Sequence, residues 1–417
     1  MAFLRLLRRP HLALLWLSQV LSSAGDNFYN VAIVWTAVNV AGASAGFVIA
    51  AGSVTRIILG PIGGALADRW DRHRCLVATD VGRAVVVGIL PLINAAGTIE
   101  LWHLAVVAVL LNGLGTVFDP ALQASLPSLV GDRSQIVAMN GLMDGTRRLA
   151  LALAPSLAGV LVAVLPLTQF FTLDAATFLF SAAALVAIGR HFARERELLQ
   201  ARAAVGPGDI YRDIVVAVGL VRRNVVLSFF LMNQVISNTA WAATFQVGAA
   251  LLASRVFDGN VGSYGLILGA YGAGNILSNV VVGNLTITRP ALLLSSARLV
   301  QAAGIFVIAL SGSLPVAMAG SFVVAIGGPM ADLMLLQVIH HDTPSGQIGK
   351  VFALRVTISS VGVFAGLLLA GPLYALLSPR NGIAVCAVVM VLAGVLGFMR
   401  FGLGKPPVEV APREAAI

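Results

Sequence analysis

Twelve apolar runs, each of about 20 residues or more, decide the solvent of this chain. They fall at 11–38, 44–67, 75–97, 101–127, 136–165, 168–189, 224–253, 262–287, 290–312, 314–339, 350–377 and 381–402. Apolar residues fill 58% of the 417 positions and charged residues 11%, too little polar surface to cover so long a chain in water. In lipid, every backbone N–H and C=O must be satisfied within the chain, which leaves helices or a closed barrel. The runs are continuous and do not alternate with period two, so they read as helices. The expected fold is all-α and membrane-embedded, with twelve transmembrane helices.

The connections are short except at 190–223, which holds eleven Arg, Asp or Glu residues. This segment divides the chain into a first six-helix half, 1–189, and a second, 224–402. The linker is expected to form a surface helix around 209–223, and 403–417 a cytoplasmic tail. The halves resemble each other. Arg8-Arg9-Pro10 leads to Gln19-Val20-Leu21-Ser22, as Arg222-Arg223-Asn224 leads to Gln234-Val235-Ile236-Ser237. Arg83 matches Arg298, and Gln135-Ile136 matches Gln347-Ile348. Two such halves that start on the same side are parallel, pseudo-symmetric repeats, and they make a monomer sufficient.

The net charge of +9 reads as a topology signal, with no nucleic-acid partner required. All the basic residues but Lys350 and Lys405 are Arg, and only Arg255 and Arg380 fall on the side opposite the linker. That bias places the linker and both termini in the cytoplasm, and the protein in the inner (cytoplasmic) cell membrane. Arg5, Arg8 and Arg9 before an apolar run, with Ser22-Ser23-Ala24 after it, have the outline of a signal peptide. Cleavage there would leave an odd number of spans and break the repeat, so the segment is expected to remain as the first span. Cys75 and Cys386 lie too far apart in sequence to suggest a disulfide framework or a metal cage.

Charges at membrane depth cost a few kcal/mol or more and face a cavity or a partner. Asp26 lies near the middle of the first span and Arg56 near the middle of the second. Asp80 and Arg83, one turn apart, read as a structural pair. Asp119, Asp144, Arg147, Arg148, Asp174, Arg298 and Asp332 complete the set.

The segment from Gly60 to Arg74 (GPIGGALADRWDRHR) is glycine-rich and apolar, then abruptly charged. It resembles the signature loop between helices two and three of the major facilitator superfamily of secondary transporters, G-x-L-A-D-R-x-G-R-R. Asp71 stands where that pattern has its second Gly, and His73 where it often has Arg. The resemblance implies a cytoplasmic latch of Asp68, Arg69 and Arg72. Asp68 would face the N-terminus of the eleventh span, and Arg72 would reach Asp119 at the inner end of the fourth. In the fifth span, Gly141, Ala150, Ala154, Pro155, Ala158 and Gly159 fall in register with the superfamily's exporter motif, G-x8-G-x3-G-P-x2-G-G. Small residues and a proline let such a helix pack closely and flex. Asp144, Arg147 and Arg148 on the same helix are expected in the gate's charge network. Many proton antiporters of the superfamily carry an Arg in helix four, but Asn112-Gly113-Leu114-Gly115 has none. Local patterns at Ala24-Gly25-Asp26, Phe118-Asp119-Pro120-Ala121, Asp174-Ala175-Ala176-Thr177-Phe178 and Gly349-Lys350-Val351-Phe352-Ala353-Leu354 resemble the branch that holds macrolide-efflux and enterobactin-export proteins.

The resemblance implies an exporter working by alternating access on small amphipathic molecules of the drug or siderophore type. A carboxylate withdrawn from water can hold a proton near neutral pH, so Asp26 is the expected proton-coupling or substrate group. Arg56 is its counter-charge or an anion ligand. Asn27, Tyr29, Asn30, Trp35, Asn233, Gln234, Asn238, Trp241, Gln246, Tyr271 and Asn275 are candidates for the cavity lining. The expected partners are the small-molecule substrate, protons and the bilayer. A lipid or lysolipid flippase, a uniporter, and a non-transporting sensor or scaffold are the competing readings. No G-x-x-x-x-G-K-[ST] loop occurs, which argues against ATP-driven transport by this chain. His340 and His341 beside Asp342 read as a polar helix end. No catalytic constellation, metal or cofactor is expected.

Overall fold

The computed structural model describes residues 6–130, 133–162, 164–192, 207–257, 259–283, 289–344 and 347–401. Linker residues 193–206, residues 284–287 of the eighth expected span and the tail 403–417 lie outside the described residues.

The described chain is helical throughout. Its long helices are α1 (Pro10–Ala41), α2 (Ala45–Arg69), α3 (Arg72–Ala96), α4 (Leu101–Val130), α5 (Arg133–Leu161), α6 (Gln169–Ala187), α7 (Pro207–Arg223), α8 (Val225–Val256), α9 (Val261–Gly283), α10 (Pro290–Leu310), α11 (Leu314–Asp342), α12 (Ile348–Leu376) and α13 (Pro379–Phe401). Local sequence sets several starts. Pro10 and Pro290 open α1 and α10, where a missing N–H costs nothing. Asp71, the departure from the superfamily loop pattern, caps α3 by accepting the Arg74 backbone N–H at 3.1 Å. Asn224 caps α8 by accepting from the Leu227 N–H at 2.9 Å.

Among the described residues, ten stretches are long and apolar enough to cross a membrane, against the twelve expected. Two features account for the difference. Pro10–Gly60 counts as one stretch of 51 residues, because only the turn Gly42–Ser44 separates α1 from α2. Helix α5 is not among the ten, since Asp144, Arg147 and Arg148 interrupt its apolar sequence. Ile58, Leu92, Val160, Leu310 and Met399 are each more than half exposed. Such a belt would drive aggregation in water and is satisfied by lipid.

Six long helices precede α7 and six follow it. In the first group α2 packs on α4, α3 on α4 and α6, and α1 on α5 and α6. In the second, α10 packs on α11 and α13, α9 on α11, and α8 on α12. Two seams join the groups, α5 on α9 and α2 on α12. Both close at the end away from α7. There a Cβ on Gly262 would lie 2.9 Å from the Gly159 carbonyl oxygen, and one on Gly265 2.7 Å from that of Pro155. Gly46 of α2 meets the Leu367 carbonyl of α12 in the same way. Only small residues allow backbones to approach so closely.

Apolar packing follows the same division. One core spans both groups at the closed end, including Val34 and Val38 of α1, Val48 of α2, Phe245 and Leu252 of α8, Tyr264 of α9 and Tyr374 of α12. At the α7 end the packing separates into two cores. One holds Leu12, Leu15, Leu76, Phe118 and Leu126. The other holds Leu227, Phe230, Leu294, Met334 and Ile339. Arg56 and Ile58 of α2, Asp144 and Arg147 of α5, Leu277 of α9 and Val356 of α12 are exposed toward that end. The bundle is a wedge, joined at one end and parted at the other.

Candidate functional site

Helices of the second group enclose a polar cavity of about 220 Å³ lined by Gln234, Ser237, Asn238, Trp241, Tyr271, Arg298, Gln301, Gly328, Asp332 and Val363. Helical spacing brings Gln234, Ser237, Asn238 and Trp241 onto one face of α8. The amides are held in place. Gln234 Nε2 donates to Asn238 Oδ1 at 3.3 Å, and Asn238 Nδ2 donates to the Ser359 carbonyl of α12 at 3.1 Å. Asn275 Nδ2 donates to the Tyr271 carbonyl at 3.1 Å. Trp241 and Phe245 pack against Tyr271 with ring centroids 6.1 and 4.7 Å apart. Arg298 is 2% exposed. Its Nε donates to Asn233 Oδ1, and its Nη1 donates to Gln301 Oε1 at 2.7 Å. Asp332 is held by Arg355 Nη2 at 3.0 Å.

The first group carries a different set of charges. Asp26 is half-buried, within electrostatic reach of Arg83, Asp119, Arg56 and Arg147. Arg56 is exposed and forms no salt bridge with Asp26 among the described residues. Beside Asp26, the buried Asp174 of α6 lies against Gly25, where a Cβ would come 2.6 Å from its Oδ1. Neither Asp174 oxygen has a hydrogen-bond partner among the described residues, and the same holds for the Tyr29 hydroxyl. Asp80 and Arg83 approach to 3.6 Å, both buried, with the guanidinium 4.4 Å from the centre of the Phe118 ring. Asn27 turns back to the Ser23 carbonyl at 2.7 Å, and Asn30 is exposed. Trp35 stacks on Tyr264 of α9 at 6.4 Å and so joins the closed end.

The helix-five motif lies on the α5–α9 seam. Pro155 and Gly159 face Gly262 and Gly265, and Ala154 and Ala158 are buried. Gly141, Asp144 and Arg147 are exposed toward the parted end. In the charged loop, Arg72 is buried and donates to the Ala124 carbonyl of α4 at 3.0 Å, one turn beyond Asp119, which is exposed. The side chains of Asp68, Arg69 and Arg148 lie outside the described residues. His341 bonds Asp342 at 2.6 Å, and Asp342 also receives Asn224 Nδ2 at 2.7 Å, tying α11 to the start of α8.

Of the residues expected to line a cavity, Gln234, Asn238, Trp241 and Tyr271 lie around this one, together with Ser237, Gln301, Gly328 and Val363, which the sequence reading did not single out as lining. That reading also missed the π-helical segment Ala242–Gly248 of α8, which holds the half-buried Gln246. Widening a helix misaligns its carbonyls, and two buried tyrosines recover them. Tyr374 donates to Ala243 O at 3.0 Å and Tyr264 to Phe245 O at 3.2 Å. The stripe Gly262, Gly265 and Gly269 on α9, the counterpart of the α5 motif, was legible as small residues at helical spacing and was likewise overlooked.

A family model described as Transmembrane secretion effector matches residues 2–413. The uncharacterized MFS-type transporter YvqJ of Bacillus subtilis (strain 168) is 20% identical over 407 residues, covering 97% of this chain and 96% of that one. Macrolide efflux protein A of Streptococcus pyogenes is 24% identical over 163 residues, 38% of this chain and 40% of that one. The multidrug efflux pump Tap of Mycolicibacterium fortuitum is 27% identical over 165 residues, again 38% and 40%. Among solved structures, the nucleoside transporter NupG superposes with a TM-score of 0.71 at 11% identity, over 94% of this chain and 99% of that one. A bacterial homolog of the human lysosomal transporter Spinster, inward-facing and unoccupied, gives 0.67 at 12% identity, over 94% and 97%.

Proposed function

Since this chain belongs to the transmembrane secretion effector family of major facilitator transporters, we propose that it exports amphipathic small molecules by alternating access, driven by protons. The observation that carries this reading is the wedge, with seams closed at one end and separate cores at the other. The basic-residue bias places the α7 end in the cytoplasm, so the wedge is open inward, poised to load cargo from the cell. Export is supported by the fifth-helix motif on the sealing seam and by the efflux proteins among the relatives. The polar and aromatic cavity suits an amphipathic organic molecule of drug, macrolide or siderophore type.

In this reading Asp26 takes a proton when the cavity faces outward and releases it inward, with Arg56 and Arg83 within electrostatic reach. Asp68, Arg69 and Arg72 steady the inner ends, and Asp144, Arg147 and Arg148 join that gate. The protein works as a monomer with both termini in the cytoplasm. The test is gradient-driven uptake of dyes, macrolides and catechol siderophores into inside-out proteoliposomes, wild type against Asp26→Asn. Uptake that follows the imposed pH gradient and is lost in the variant is the expected outcome. Uptake indifferent to both the gradient and the substitution would overturn proton coupling through Asp26.

A lipid-carrier reading has one observation of its own. A groove of about 380 Å³ between α8 and α13, lined by Phe229, Met232, Ile236, Leu396 and Met399, opens among exposed apolar side chains. Inward or outward movement of labelled lysolipid in the same vesicles separates it from export of soluble cargo.

A further inference from the structure

We propose that Arg298 is an anion-binding residue, and that the cavity it lines takes an organic anion with an aromatic or apolar body. The repeat supplies the first argument. Arg83 of α3 and Arg298 of α10 occupy matching positions, 215 residues apart. In the first half Asp80, three residues earlier, neutralises the guanidinium at 3.6 Å. The matching position in the second half is Ser295, whose hydroxyl is turned to the Ala291 carbonyl at 2.9 Å. The arginine is kept and its counter-ion is gone.

The cavity supplies the second argument. Arg298 is almost fully buried, yet its two hydrogen-bond partners, Asn233 and Gln301, are neutral amides. Asp332, an acid of the same cavity lining, acts on Arg298 electrostatically but is engaged by Arg355 at 3.0 Å and forms no salt bridge with Arg298. A guanidinium has five N–H donors in a planar fork. Its Nη2 has no acceptor among the described residues and is not sealed from the cavity. A buried charge with no counter-ion in contact is costly, and a bound oxyanion on that fork relieves the cost.

The remaining walls define the rest of the ligand. Trp241, Tyr271 and Val363 offer aromatic and apolar surface, and Gln234 and Asn238 offer amides. Gly328 leaves open the wall opposite, with the Tyr271 hydroxyl 3.7 Å and Gln301 Nε2 3.8 Å from where its Cβ would stand. An aromatic carboxylate, phenolate or phosphate ester meets this chemistry, whereas an aromatic amine would set one cation against another. The inference rests on the exporter reading only in calling that anion cargo. Binding measured without any gradient tests it separately.

The probe is 2-naphthoate, titrated by tryptophan fluorescence into purified full-length protein in nanodiscs, against 2-naphthylmethylamine of the same shape and opposite charge. Wild type is expected to bind the carboxylate saturably and at least about tenfold more tightly than the amine, the scale of one charge-assisted hydrogen bond. Arg298→Gln should remove that preference. Because the buried Arg298 ties Asn233 to Gln301 and its loss would test folding as well as binding, Gln301→Glu is the decisive second variant. It is isosteric, keeps the guanidinium, and places a carboxylate on Nη1, so it should fold as wild type and lose the anion by a similar factor. Absence of saturable naphthoate binding to wild type, equal affinity for the two probes, or undiminished naphthoate affinity in folded Gln301→Glu would each overturn the proposal.

Discussion

Two buried arginines at equivalent repeat positions carry opposite lessons about charge in the membrane. Arg83 is a structural cation. Asp80 lies 3.6 Å away, and Phe118 and Phe178 flank the guanidinium at 4.4 and 5.4 Å. Removing one member of such a buried pair leaves an uncompensated charge and costs about 3–5 kcal/mol, while replacing both by neutral groups of similar volume is near neutral. Asp80→Asn alone is therefore expected to lower the thermal stability of the purified protein far more than Asp80→Asn combined with Arg83→Met. A double variant as unstable as the single would show that the pair does more than neutralise itself. The i, i+3 spacing made this pair legible in the sequence. The expected Asp26–Arg56 partnership had no such local support, since it joins two helices. In the structure Arg56 stands exposed, and Asp26 sits in a wider field. The isolation of Arg298 was half legible, because the Ser295-for-Asp80 exchange is visible in the repeat. The amides that occupy the arginine come from Asn233 and Gln301, and nothing short of three dimensions brings Asn233 of α8 to it.

At the level of the helix, backbone proximity explains more than side-chain chemistry. The α5–α9 seam depends on Gly159, Gly262 and Gly265, whose neighbours stand where a Cβ would have to go. Gly265→Val puts two further methyls against the Pro155 carbonyl and Gly159, so that end cannot close. The expected outcome is a protein that folds and inserts but no longer transports, with raised thiol labelling of an Ala158→Cys reporter at the seam. Normal transport would mean that α5 and α9 part without resealing. Helix existence was legible because the length of an apolar run and the bilayer thickness are the same constraint. The π-helical turn was not, since Ala242 to Gly248 contains no residue that demands a wider helix. What holds it are hydroxyls from other helices, Tyr264 of α9 and Tyr374 of α12. Tyr374→Phe removes one of those bonds and leaves the Ala243 carbonyl with its π-helical backbone donor alone. A loss of about 0.5–1.5 kcal/mol in stability follows, measurable by thermal unfolding, with Tyr264→Phe behaving alike. No change in either variant would mean that the π-turn is set by packing alone.

For the whole molecule, the question is whether the wedge is one of two states or a fixed shape. A rigid scaffold would have no reason to seal one end with glycine-lined seams while leaving charged residues of α2 and α5 exposed at the other. Two packings of similar free energy would, because a transporter must cross between them with modest driving forces. One unit of pH gradient supplies about 1.4 kcal/mol per proton, and 100 mV of potential about 2.3 kcal/mol per charge. The energy gap between the states must therefore be a few kcal/mol at most, so both should be populated. Spin labels at Ile58→Cys of α2 and Val356→Cys of α12, both exposed toward the parted end, read this directly. In nanodiscs, pulsed dipolar spectroscopy should give a long distance for the open wedge together with a shorter one for its closed counterpart. Acidification should enlarge the short population, and Asp26→Asn, which mimics the protonated carboxyl, should enlarge it at neutral pH without acid. A single distance unmoved by pH, by cargo and by the substitution would describe a scaffold, and would remove alternating access from this chain however well its fold matches the superfamily.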